Sequence, residues 1–205
     1  MRIDGPDSAT TLVLAHGAGA PMDSDFMNDI TRLLNDRGIR VARFEFPYMI
    51  ERRQTGKKRP PDRAPKLLDS YNAILDELGH PERLFIGGKS MGGRMATLVA
   101  TQRPVAGVCV LGYPFHPPGK PDKLRLDHLG DIQCPTLICQ GERDALGKRE
   151  EVDGYDLPEA IQLHWLPDGD HSLKPRKASG HTLEENLANA ADALVDFINR
   201  TGTGH

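Results

Sequence analysis

Leu84-Phe85-Ile86-Gly87-Gly88-Lys89-Ser90-Met91-Gly92-Gly93-Arg94 is the stretch on which the reading of this chain turns. Leu84 to Ile86 is a short apolar run of the kind that forms a buried strand, and it stops at Gly87-Gly88. Beyond it, Met91, Ala96, Leu98 and Val99 recur with the spacing of a helical face. Between strand and helix lies Gly88-x-Ser90-x-Gly92. So tight a turn strains the serine, and a Cβ at either flanking position would meet the adjoining strand or helix. The turn is expected to hold a hydroxyl at the sheet edge, over the positive end of a helix dipole. A phosphate-loop reading of Gly88-Lys89-Ser90 fails. That motif needs glycine where Arg83 stands.

Outward from this turn, strands and helices alternate. Thr11–Ala15 reads as a buried strand running into His16-Gly17-Ala18-Gly19-Ala20-Pro21. Asp23 or Ser24 can cap a helix carrying Phe26, Met27, Ile30, Leu33 and Leu34 on one face, ended by Gly38. Ile39–Phe46 is a second strand, closed by Pro47. Residues 47–65 read as a long Pro-rich connection without helical periodicity, carrying the basic run Arg52–Arg59. Leu67, Leu68, Tyr71, Ile74, Leu75 and Leu78 mark an amphipathic helix ended by Gly79, and the helix after Ser90 is expected to reach about Gln102. Val105–Leu111, Pro135–Gln140 and Ile161–Leu166 are further strands. Leu187, Ala191, Leu194, Val195 and Ile198 place a last helix. Gly112–Cys134 reads as a loop with at most a turn near Leu124–Leu129. Residues 1–10 read as a lead-in and Thr201–His205 as a frayed tail.

Strands apolar through their length, alternating with helices, predict an α/β fold. The expectation is one domain over 1–205, with a mostly parallel sheet of about six strands and helices on both faces. The chain of 205 residues is 38% apolar and 27% charged, the balance of a globular protein. A mean hydropathy of -0.47 leaves no segment to span a membrane. Net charge of -3 argues against nucleic acid as a partner of the whole molecule. Met1–Pro6 has no apolar core behind its charge, so no secretory leader is expected, and a cytoplasmic location is. Cys109, Cys134 and Cys139 lack metal-site spacing and read as reduced thiols, Cys109 and Cys139 within apolar runs.

In such a sheet the loops after strand C-termini gather at one edge, where ligands bind. His16–Ala20, the Ser90 turn, Asp144 and His171 all fall there. A serine hydroxyl is a poor nucleophile at neutral pH and needs a base held by a third group. The order Ser90, Asp144, His171 is the Ser–Asp–His order of the α/β-hydrolase fold, which the chain resembles over nearly its whole length. More narrowly, Gly88-Lys89-Ser90-Met91-Gly92-Gly93-Arg94 with Gly112-Tyr113-Pro114-Phe115-His116-Pro117-Pro118 resembles a small dienelactone-hydrolase-like group. That group includes bacterial hydrolases and a domain of a eukaryotic chromatin-complex subunit.

The resemblance implies roles. Ser90 would be the nucleophile, His171 the base, and Asp144 the acid that orients it. The backbone N–H groups of Met91 and Ala18 would form the oxyanion hole. Asp168 and Asp170 lie nearer His171 in sequence, but Asp144 follows the penultimate strand and is favoured. His16 is expected to shape the oxyanion loop. His16, His116, Arg52 and Arg53 are the candidate substrate contacts, the arginines favouring anionic substrates if their loop overhangs the site. Arg94 is expected to be structural, paired with an acidic neighbour. Gly112–Cys134 is too short for a lid domain, so an open site is expected. The implied activity is a cofactor-independent serine hydrolase acting on a small-molecule ester or thioester. The competing reading is a non-catalytic binding or scaffold protein that keeps the fold.

Overall fold

Strands covered on both faces have no polar face to turn outward, and the chain obeys this rule closely. Every residue is buried in Thr11–Ala15 (β2), Leu84–Lys89 (β4), Gly107–Leu111 (β5) and Thr136–Gly141 (β6). In the computed structural model, which describes residues 1–7 and 10–202, Arg2–Asp4 (β1), Arg40–Phe44 (β3) and Ile161–Leu166 (β7) complete a sheet of seven strands. Their order is β1-β3-β2-β4-β5-β6-β7, parallel throughout except where β1 runs antiparallel to β3.

The helices are α1 (Asp25–Asn35), α2 (Pro47–Thr55), α3 (Ala64–Leu78), α4 (Met91–Ala100), α5 (Arg149–Val152) and α6 (Leu183–Gly202). Successive strand residues face opposite ways, which divides the core in two. Leu12 and Leu14 of β2 pack with Met27, Ile30 and Leu34 of α1 and with Leu187, Leu194 and Phe197 of α6. Val13 and Ala15 pack on the other side, with Tyr48 and Met49 of α2, Tyr71 and Leu75 of α3, and Met95 and Val99 of α4. From β2 the chain steps outward to β3 through α1, then returns past β2 to β4 through α2 and α3. The strand order therefore reverses between β2 and β4, and a crevice opens beyond their C-terminal ends.

The expected α/β architecture holds, with corrections. The sheet has seven strands rather than about six, because part of the presumed lead-in is β1. Ser8 and Ala9 of that lead-in lie outside the described residues. β1 is short and mostly exposed, so no apolar pattern announces it, and it is held by Arg43 of β3. That guanidinium is 2% exposed and donates to Asp4 Oδ2, the Met22 carbonyl and Asn28 Oδ1, each at 2.8 Å. Within residues 47–65, α2 replaces the expected irregular connection: Pro47 opens it and Gly56, at φ 69°, ends it. It buries only Tyr48 and Met49, too few to show a helical period. α4 stops at Ala100, short of the expected Gln102. Between 112 and 134 a single 3₁₀ turn, Leu129–Asp131, is the only regular structure. Thr201 and Gly202 close α6, while 203–205 of the presumed tail lie outside the described residues. Cys109 and Cys139 are free thiols in the core, and Cys134 is free and half-buried.

Tyr71 carries an interior polar contact of α3. Its hydroxyl accepts the Gly87 N–H at 3.0 Å and donates to the Gly87 carbonyl at 2.8 Å, where β4 nears the Ser90 turn. Tyr71→Phe is expected to cost about 1–3 kcal/mol, the penalty for stranding a buried backbone group. Urea unfolding should show a lower midpoint at unchanged slope; an unchanged midpoint would show that these groups find other partners.

Candidate active site

The turn between β4 and α4 places Ser90 at φ 52° and ψ -114°, a region a side-chain-bearing residue seldom occupies. The flanking glycines permit it. A Cβ on Gly88 would come within 2.5 Å of the Ala15 carbonyl, and one on Gly92 within 2.5 Å of the His16 carbonyl. The elbow thus lies directly on β2 and its following loop. The Ser90 N–H donates to the Leu111 carbonyl at 3.0 Å, tying it to β5 as well.

Three distant parts of the sequence meet here. His171 Nε2 lies 2.8 Å from Ser90 Oγ, and His171 Nδ1 lies 2.8 Å from Asp144 Oδ2. A carboxylate only accepts, so Nδ1 carries the proton and Nε2 is left to accept from the serine hydroxyl. Asp144 is fully buried in the turn after β6, its Oδ1 accepting the Leu146 N–H at 2.8 Å. Gln140, the last polar side chain of β6, donates to Asp144 Oδ2 at 3.0 Å and accepts the Tyr113 N–H at 2.7 Å. Asp168 and Asp170 are engaged elsewhere. Asp168 pairs with Arg176 and Arg143, and the Arg176 contact holds its carboxyl down at about 2. Asp170 Oδ1 accepts the N–H groups of Ser172 and Lys174.

Sequence reading missed two members of this network. Gln140 is one, and its signal is a lone amide ending an apolar strand. The other is Lys89, whose buried Nζ donates to the His171 carbonyl at 2.5 Å and lies 5.5 Å from the centroid of the Phe26 ring. Gly112 leaves room for this contact, since a Cβ there would lie 3.1 Å from Lys89 Nζ and 3.0 Å from the His171 carbonyl. Burial pushes the Lys89 ammonium down to about 8, against the opposing pull of Asp144 and Asp170.

The His16–Pro21 loop is held by its own hydrogen bonds. His16 is fully buried; Nε2 accepts the Phe46 N–H at 3.1 Å and Nδ1 donates to the Gly17 carbonyl at 2.7 Å. Burial pushes its pKa down, which keeps the ring neutral. Tyr48 of α2 donates to the Ala18 carbonyl at 2.8 Å. Met91 opens α4, so its N–H has no partner within the helix. The loop-shaping expectation for His16 therefore displaces direct substrate contact, because both ring nitrogens are taken. His116 is corrected likewise: it is 2% exposed, with Nδ1 3.0 Å from the Pro117 carbonyl and Nε2 3.4 Å from Glu151 Oε2. Arg53 is bound to Glu45 and Asp23, while Arg52 has no carboxylate within ion-pair distance among the described residues. Arg94 also lacks the expected acidic neighbour among the described residues; it lies by the Tyr113 hydroxyl, and its buried Nε has no hydrogen-bond partner.

Residues 8–199 match the family described as Alpha/beta hydrolase domain, and the chain belongs to that family. Its fold is shared by an α/β serine hydrolase without a lid from Xanthomonas campestris, at 20% identity, covering 97% of this chain and 87% of that one, TM-score 0.71. Est1E from Butyrivibrio proteoclasticus is similar at 14% identity over 97% and 92% of the two chains, TM-score 0.70. A dienelactone hydrolase from Anabaena variabilis is similar at 19% identity over 97% and 89%, TM-score 0.67. No curated protein matches the chain. Among the described residues, no helix is long and apolar enough to cross a membrane, and no group of three or more His, Cys, Asp or Glu could hold a metal ion.

The Lys89 contact has a measurable pH signature. Lys89 loses its proton near pH 8 in the folded protein and near the ordinary value of 10.5 in the unfolded chain. Between these values the unfolded chain binds more protons, so stability gains with rising pH. The stability difference between wild type and Lys89→Met is expected to shift toward wild type across that interval in urea titrations. A flat difference would mean that the ammonium is not held as described.

Proposed function

We propose that this chain is a serine hydrolase that cleaves esters or thioesters of small soluble substrates through an acyl-enzyme on Ser90, working as a single domain. The observation that carries the reading is the unbroken relay of two 2.8 Å hydrogen bonds from Ser90 through His171 to a fully buried Asp144. As Ser90 Oγ attacks the substrate carbonyl, His171 Nε2 takes its proton, and Asp144 stabilises the imidazolium through Nδ1–H. Negative charge develops on the carbonyl oxygen, where the N–H groups of Met91 and Ala18 would receive it. The tetrahedral intermediate collapses, the leaving alcohol or thiol takes the proton from His171, and the acyl group stays on Ser90. Water then gives a proton to His171 and attacks the acyl carbon. The carboxylic acid departs and Ser90 recovers its proton.

A scaffold protein would have no need of this relay. A buried carboxylate oriented on a histidine is costly, and the cost is sensible where the histidine must become charged during turnover. The short 112–134 connection supports small, soluble substrates over long acyl chains, which a lid would otherwise cover.

Labelling by a fluorophosphonate probe tests the reading. Wild type should be labelled, and Ser90→Ala and His171→Ala should not. Asp144→Asn should lower kcat on a short acyl ester by roughly a thousandfold to ten-thousandfold, since the wrong tautomer leaves the relay unable to accept the serine proton. A well-folded wild type that neither reacts with the probe nor turns over esters would overturn the proposal in favour of a non-catalytic binding protein.

A further inference from the structure

The basic run 52–59 is sorted by its partners. Arg53 is neutralised by Glu45 and Asp23, and Arg59 by Glu51 and Asp62. Arg52, Lys57 and Lys58 have no carboxylate within ion-pair distance among the described residues. In a chain of net charge -3, this is a local positive excess. It also surrounds open space. A cavity of about 400 Å³ is lined by Gly19, Arg52, Lys58, Arg59 and Pro60. A second, of about 280 Å³, shares Arg52 and Lys58 and extends to Pro21 and Lys57.

The position of this cleft follows from α2. Tyr48 holds the Ala18 carbonyl at 2.8 Å, and Arg52 stands four residues later, one turn further along the same helix face. Gly19, which lines the larger cavity, directly follows Ala18. The same loop passes Ser90, where a Cβ on Gly17 would lie 3.8 Å from the serine Cβ. Arg52 is near enough to His16 and Tyr48 for its charge to lower the pKa of both.

We propose that the cleft between the 16–21 loop and the 52–60 segment is a substrate-recognition site for an oxyanion group, with Arg52 as its principal contact. This rests on the hydrolase reading and narrows it: the substrate is an ester or thioester bearing a carboxylate or phosphate away from the scissile bond. Arg52 offers a planar fork of donors to that oxyanion, and Lys57 and Lys58 add point charges from the exposed side. The substrate's anion could lie on the acyl part or on the leaving group, and matched pairs of probes separate the two.

The acyl arm compares mono-4-nitrophenyl succinate with 4-nitrophenyl valerate, and the leaving-group arm compares S-acetyl phosphopantetheine with S-acetyl pantetheine. In at least one arm, wild type should favour the charged member. Arg52→Gln should lower the charged-to-neutral ratio of kcat/KM roughly three- to tenfold, and high salt should erode the wild-type ratio. The same four probes titrated into Ser90→Ala give the ratio from binding alone, so the cleft is tested even where no turnover occurs. A ratio indifferent to Arg52→Gln and salt in both arms would overturn the inference while leaving the hydrolase reading intact. Salt-sensitive binding of a single-stranded oligonucleotide with that same indifference would reassign the patch to nucleic acid.

Discussion

Close approach between the Ser90 turn and β2 is the constraint on which the rest of the site depends. The turn can sit against the Ala15 and His16 carbonyls only because residues 88 and 92 lack a Cβ. Any side chain at either position would lift the elbow away from β2 and part the serine from the loop that carries Ala18. The strain at Ser90 is then held by its surroundings: the β5 carbonyl that receives its N–H, the first turn of α4 and the packing of β4 on both faces. The tightly packed sheet interior thereby fixes a single unfavourable backbone conformation.

Around this turn, charged and polar groups are held in pairs or chains, with few left over. Gln140 joins the segment after β5 to Asp144; Asp144 joins β6 to His171; Lys89 joins β4 to the His171 backbone. The first two links cross between neighbouring strands at their C-terminal ends, and the Lys89 link spans from β4 past β5 and β6 to the segment after β7. On the other side of the elbow, His16 and Tyr48 fix the 16–21 loop through backbone contacts. The exceptions are informative by contrast. Among the described residues, Arg52, Lys57 and Lys58 have no carboxylate within ion-pair distance, while the neighbouring Arg53 and Arg59 are paired.

Much of this could be read from the chain, and what could not has physical reasons. The inner strands were legible because burial on both faces demands continuous apolar runs, and Thr11–Ala15 has the expected bounds. The edge strand Ile161–Leu166 also has them, although only its two end residues are buried. Ser90 was legible because a tight turn demands glycine. Asp144 and His171 were reached through the resemblance to α/β hydrolases together with the gathering of strand ends at one edge, and the structure brings the three side chains within hydrogen-bond distance. β1 was hidden because an edge strand held by one arginine needs no hydrophobic pattern, and α2 because it buries only Tyr48 and Met49. Lys89 and Gln140 were hidden for another reason. Lys89 pairs with the His171 carbonyl and Gln140 with the Tyr113 N–H, both far along the sequence. Although Asp144 stands only four residues after Gln140, an amide and a carboxylate at that spacing in a strand and turn carry no recognisable pattern. The sorting of the basic run into paired and unpaired members depends likewise on Asp23, Glu45 and Asp62, which no reading of residues 52–59 alone supplies.

The Lys89 contact has a mechanical consequence. Lys89 is the covalent neighbour of Ser90, and its ammonium grips the carbonyl of the very residue whose ring faces that serine. Ser90 and the imidazole facing it are therefore tied to each other through one side chain spanning β5 and β6, in addition to the Gln140 and Asp144 links along the strand ends. The 168–176 segment thus has a second tether to β4 besides the ring's own contact with Ser90, and displacing it requires both bonds to give.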